Sequence, residues 1–117
     1  VKAGRGHKYK AIASECQQGH NHPSRREAKR CNELHLLQRA GKISHLTCQP
    51  VFRFSVNGVP LMMRNGQQAK FTPDFQYFDL ERGKAIVEDS KGMVVRDYPL
   101  RAALFRALNP GIELIEV

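Results

Sequence analysis

The feature that most narrows the fold is a change of hydrophobic period partway along the chain. Ser24-Arg25-Arg26-Glu27 is a capping box, with Ser24 as N-cap and Glu27 at the third helical position. Behind it Ala28, Cys31, Leu34, Leu37 and Ala40 recur at helical spacing, and Gly41 follows as a stop. The spacing predicts a helix over residues 24–40. Glu27 shares its stripe with Cys31 and Leu34, so its side chain is predicted to face the protein. Strand signals come next. Residues 51–56 run into Asn57-Gly58, a strong hairpin turn, and residues 59–63 return. Asn65-Gly66 marks a second turn, residues 71–78 are aromatic and extended, and residues 84–90 carry Ala85-Ile86-Val87. Three or four strands in an antiparallel meander are expected. A second helix begins near Asp97-Tyr98-Pro99, with Pro99 at the first helical position and Leu100, Ala103, Leu104, Ala107 and Leu108 as its stripe. Asn109-Pro110-Gly111 ends it. Residues 112–117 follow a helical crossover, so they are expected to pair in parallel with an earlier strand. The order is α-β-β-β-α-β, an α/β class with a central mixed sheet flanked by helices.

A chain of 117 residues suits one compact domain. Residues 1–22 lack periodicity and read as a basic N-terminal arm, leaving 23–117 as the folded domain. The formal net charge is +8. Most of the excess lies in the first forty residues, at Lys2, Arg5, Lys8, Lys10, Arg25, Arg26, Lys29, Arg30 and Arg39. Such asymmetry favours a polyanionic partner, although a solvated basic face gives the same composition. Three cysteines cannot form a closed disulfide framework, and thiols fit a reducing cytoplasm. No apolar run approaches the ~20 residues of a membrane helix, and no signal-peptide pattern opens the chain. A soluble, cytoplasmic protein with no membrane partner is expected.

Phosphodiester hydrolysis needs oxygen ligands for a divalent ion, a water to activate and positive charge for the developing anion. Pro73-Asp74, followed after a strand and a turn by Glu88-Asp89-Ser90-Lys91, supplies these types. Strand alternation puts Asp89 and Lys91 on one face with Val87, and Glu88 on the other with Ile86. Asp89 is therefore the stronger ligand and Glu88 the weaker. The bland readings are an N3 capping partner for Glu27, a turn residue for Asp74 and a surface ion pair between Lys91 and Asp89.

Pro73-Asp74 with Asp89-Ser90-Lys91 resembles the PD-(D/E)XK nuclease signature, with Asp in place of the commoner Glu. The segments Lys8-Tyr9-Lys10, Ser24-Arg25-Arg26-Glu27-Ala28, Gly41-Lys42-Ile43 and Gln49-Pro50 are similar to a phage-borne family of small nucleases. The resemblance implies a restriction-endonuclease-like core and a Mg²⁺-dependent DNA endonuclease (Mn²⁺ a substitute) acting in phage DNA processing. Glu27, Asp74 and Asp89 would hold the metal and Lys91 would assist, with Arg5, Lys8, Lys10, Arg25, Arg26 and Lys29 on DNA phosphates. Endonuclease I-type resolvases share the carboxylate arrangement, so by analogy a homodimer and branched DNA such as Holliday junctions are expected. A non-catalytic DNA-binding module on the same fold and an RNA-directed protein are the alternatives. Structural zinc on Cys16, His20, His22 and Cys31 is not expected, because C-x3-H-x-H-x8-C is no standard knuckle and Cys31 suits an apolar stripe. Cys48, His35 and His45 have no partners evident in sequence. Gln49 is read first as a strand-entry residue and second as a hydrogen-bonding neighbour of the site.

Overall fold

The computed structural model describes residues 14–17, 19–22, 24–90 and 96–117. It opens with a small antiparallel hairpin, β1 (Ser14–Glu15) and β2 (Asn21–His22). Helix α1 (Arg25–Arg39) follows. Ser24 is extended, as an N-cap must be, and its hydroxyl accepts the Glu27 backbone N–H at 3.2 Å. Ala28, Cys31 and Leu34 make the buried stripe together with Glu27. The helix stops at Gly41, whose φ of 77° continues no right-handed helix.

The main sheet contains β3 (Ile43–Cys48), β8 (Phe75–Asp79), β9 (Lys84–Asp89) and β10 (Ile112–Glu116), in the order β10-β9-β8-β3. The hairpins around it are antiparallel, while β10 runs parallel to β9. That one parallel pair exists because α2 (Tyr98–Leu108) carries the chain back across the sheet. The chain is thus of α/β class with a mixed sheet. Alternating side chains feed two cores. Phe75, Tyr77 and Ile86 pack with Ala28, Cys31 and Leu34 of α1. Val87 and Leu114 pack instead with Ala102 and Phe105 of α2.

Three expectations need correcting. The first strand of the sheet is β3, not the segment after Gln49. Its alternation is broken by a register shift between Ser44 and Thr47, with His45 at a φ of 57°, so Ile43 and Leu46 do not read as a period of two. Residues 52–71 instead form side ladders, β4 (Phe52–Arg53) with β7 (Lys70–Phe71) and β5 (Ser55–Val56) with β6 (Val59–Pro60). The β5–β6 turn is Asn57-Gly58, both at positive φ as a type I′ turn requires.

The second correction concerns the phase of α2. Its buried residues are Ala102 and Phe105, and the Leu100 that was expected inside is 65% exposed. Tyr98, Ala102 and Phe105 also follow helical spacing, and the aromatic ring fills the larger space against Phe52 and Phe71. Third, ordered structure begins before residue 23: the β1–β2 hairpin packs against α1 within the segment read as an arm.

The phase of α2 is open to direct test. Phe105→Ala should cost about 3–5 kcal/mol in urea unfolding, whereas Leu100→Ala should change stability by no more than about 0.5 kcal/mol. Equal losses would return the helix to the phase read from sequence.

Candidate functional site

The antiparallel register of β8 with β9 pairs Phe75 with Glu88, which brings Asp74 beside Asp89 at one end of the sheet. Backbone bonds fix the junction. The Asp74 N–H donates to the Glu88 carbonyl at 3.0 Å, and the Ser90 N–H donates to Asp74 Oδ2 at 2.9 Å. Asp89 is itself tied back, its carbonyl accepting the Val117 N–H at 2.9 Å.

Neighbouring acidic residues on β9 have opposite fates. Glu88 turns to the α1 side and is 2% exposed. Arg30 grips it with two bonds, Nε to Oε1 at 2.8 Å and Nη2 to Oε2 at 2.6 Å, and Tyr77 donates its hydroxyl to Oε2 at 2.6 Å. Burial acts to raise the Glu88 pKa, but Arg30 and Tyr77 outweigh it and hold the carboxylate below its ordinary range. With its oxygens so engaged, Glu88 serves as an internal counter-charge. Arg30, counted in sequence among the basic excess, is its partner.

Glu27 comes to the same end of the sheet from the first turn of α1. Its carboxylate does not reach back to the N-cap. Oε2 instead meets His22 Nδ1 at 2.9 Å and accepts the Gln49 side-chain amide at 3.1 Å. Gln49 sits at a φ of 51°, a conformation uncommon for a residue other than glycine, and its N–H donates to the Asp74 carbonyl at 2.8 Å. It therefore connects Glu27 to Asp74. The second of the two sequence readings of Gln49 describes its contacts. In sequence His22 was weighed only as a zinc ligand, and its contact with Glu27 was not foreseen.

The electrostatics follow from this crowding. Burial, then the nearby charges of Glu27 and Asp89, push the Asp74 carboxyl up to about 7, although the Ser90 N–H opposes the shift. Burial pushes Asp89 up to about 6 against hydrogen bonding with Asp74, Tyr98 and the Ser90 backbone. Among the described residues, no cation is among the groups that shift either aspartate. A cleft of about 20 Å³ lies among Arg26, Glu27, Asp74 and Ser90, room on the scale of one water or one ion.

Of the basic residues expected at DNA, Arg25, Arg26 and Lys29 are exposed on the first turns of α1, with Arg26 at the cleft itself. Arg5, Lys8, Lys10 and Lys91 lie outside the described residues. Among the described residues no helix is long and apolar enough to cross a membrane.

A second gathering corrects the sequence reading of the cysteines. Cys16, His20, His22 and Cys31 bring ligand atoms within 4.8 Å of one another, and so do His20, Cys31, His35 and Cys48. Cys48 and His35, without partners in sequence, thus belong to a cluster able to hold a metal ion. Non-standard spacing was a poor guide because the ligands come from a hairpin, a helix and the end of β3, which only the fold brings together. His45 bonds instead to Ser44 Oγ at 2.9 Å.

Neither the curated proteins nor the solved structures contain a match to this chain. The profile of the DUF1064 family, described as a protein of unknown function, matches residues 6–115, spanning both helices and the whole sheet. The chain therefore belongs to the DUF1064 family.

Proposed function

We propose that the protein is a Mg²⁺-dependent DNA endonuclease of PD-(D/E)XK type, with its site at the end of the sheet where β9 stops. The observation that carries this reading is Asp74, held between Glu27 and Asp89 with its carboxyl raised to about 7. Carboxyl groups gathered so closely without a cation favour protonation over charge, and a divalent ion reverses that preference. The element order α1-β3-β8-β9-α2-β10 also supports the reading, since it is the α-β-β-β-α-β order the resemblance implies.

Glu27, Asp74 and Asp89 would hold the ion, an oxygen set suited to Mg²⁺, which keeps several waters and takes few carboxylates. Bound there, the ion would supply charge stabilisation and a more acidic water. The chain's own groups do the rest. Gln49 and His22 fix the Glu27 carboxylate, so that it need not reorient when DNA arrives. The Ser90 N–H holds Asp74 in one rotamer. Lys91, two residues past Asp89, would stabilise the developing phosphorane charge or orient the water. Arg25, Arg26 and Lys29 would take the phosphates flanking the scissile bond, with the terminal Arg5, Lys8 and Lys10 extending the contact. Branched DNA and a dimeric state are the finer parts of this proposal.

Three outcomes test it. Asp74→Asn should retain fold and salt-sensitive DNA binding, yet lose more than the about 10–100-fold that a supporting partner costs. Gln49→Ala should fall within that range. Both are read by cleavage of linear and branched DNA with Mg²⁺ or Mn²⁺. Binding without cleavage of any substrate by the wild type would leave a DNA-binding module in its place.

The third outcome concerns pH. Asp74 and Asp89 have folded pKa values of about 7 and about 6, above the roughly 3.9 of an unfolded Asp. The folded state therefore binds more protons between pH 4 and 7, and Mg²⁺-free stability should fall as pH rises through that window. Thermal melts should show Mg²⁺ restoring stability at pH 8 and having little effect at pH 5. Asp74→Asn should reduce the pH slope to the part due to Asp89 and remove most of the Mg²⁺ effect.

A further inference from the structure

We infer that Cys16, His20, Cys31 and Cys48 form a structural zinc site, separate from the carboxylate site. Three of its edges have the dimensions of a tetrahedral ion's ligand shell. Cys31 Sγ lies 3.7 Å from Cys48 Sγ, and His20 Nδ1 lies 3.6 Å from each of the two sulfurs. Zinc bonds of about 2.3 Å to sulfur and about 2.0–2.1 Å to nitrogen give tetrahedral edges of about 3.7 Å between sulfurs and about 3.5 Å between sulfur and nitrogen. The three measured edges match. A disulfide would need the sulfurs at about 2.05 Å, and none of the cysteines is so bonded.

Cys16 completes the set. Its sulfur lies within 4.8 Å of the ligand atoms of both His20 and Cys31 but is not grouped as closely with Cys48, so closing the shell requires that sulfur to shift towards Cys48. Thiolate is the ligand that selects zinc over harder ions, and all three thiols of the chain are in this cluster. His22 and His35 stand next to the shell. Each has a buried Nε2 with no hydrogen-bond partner, beside a site whose charge and ligand positions change when an ion enters. His22 bonds through Nδ1 to Glu27, which leaves its Nε2 as the competing nitrogen ligand, and a shell with two nitrogens would be its signature. Binding converts three thiols to thiolates and releases their three protons, leaving a shell of three sulfurs and one nitrogen.

The ligands explain what the ion does. Cys16 and His20 belong to the β1–β2 hairpin, Cys31 to the middle of α1 and Cys48 to the last position of β3. Two-residue strands bury too little to hold a hairpin by themselves. Zinc would tie that hairpin to the helix and sheet, and with it the His22 that contacts Glu27.

Metal analysis of the full-length protein should find one zinc per chain, and X-ray absorption should find three sulfurs and one nitrogen. Cys31 is wholly buried, so the informative variants are His20→Ala and Cys48→Ser, at more accessible positions. Both should lose stoichiometric zinc. Chelation should lower the wild-type melting temperature by about 10 °C or more, with recovery on adding Zn²⁺. Asp74→Asn should keep its zinc, which separates this site from the nuclease reading. Wild type without zinc, variants that retain it, or a shell of two sulfurs and two nitrogens would overturn the assignment.

Discussion

Burial of Asp74 and Asp89 beside one another, with Glu27 close to Asp74, is the constraint around which the rest is arranged. Asp74 and Asp89 arrive there because β8 and β9 pair in a register that leaves one acidic residue just outside each strand's last shared position. Glu27 arrives from the first turn of α1. Each is restrained by groups of the fold: Ser90 on Asp74, Tyr98 near Asp89, and His22 with Gln49 on Glu27. None of these offsets burial, the first cause of both raised aspartate pKa values, and on Asp74 the nearby charges of Glu27 and Asp89 add to it. A fold that concentrates negative charge in this way is less stable than one with the charges dispersed, and such concentrations are common where a cation or a proton is used.

The same end of the molecule contains a contrasting solution. Glu88 is as deeply buried as any acidic group here, yet its charge is fully met by Arg30 and Tyr77. One residue further along β9, the pleat turns Asp89 to the other side, away from that arginine. Strand alternation thus separates an acid paired with arginine from one that meets Asp74 and Tyr98. That these two face opposite sides of the sheet was legible in the sequence, because a period of two is all the argument needs.

Other parts were legible for equally local reasons. Helix α1, its Ser24 cap, the Asn57-Gly58 turn and the parallel β10 all follow from short-range signals or from crossover geometry. What the sequence concealed is long-range or irregular. Strand β3 was hidden by its bulge, and the face of α2 was misread because leucines at Leu100 and Leu108 drew attention from the aromatic Phe105. Gln49 reaches Glu27 only through a left-handed backbone position that no pattern announces. The Cys/His cluster gathers residues as far apart in sequence as His20 and Cys48, so spacing rules written for compact knuckles did not apply. Membership in the DUF1064 family fixes the chain's relatives without supplying an activity, so the chemistry rests on these side chains.

The central claim is that the carboxylates at the end of β9 bind a divalent cation. Mn²⁺ titration followed by electron paramagnetic resonance at pH 8, on protein with its zinc content held constant, measures that directly. The account requires saturable Mn²⁺ binding by the wild type that Mg²⁺ displaces and that Asp89→Asn abolishes. Equal Mn²⁺ affinity in Asp89→Asn and wild type would contradict it.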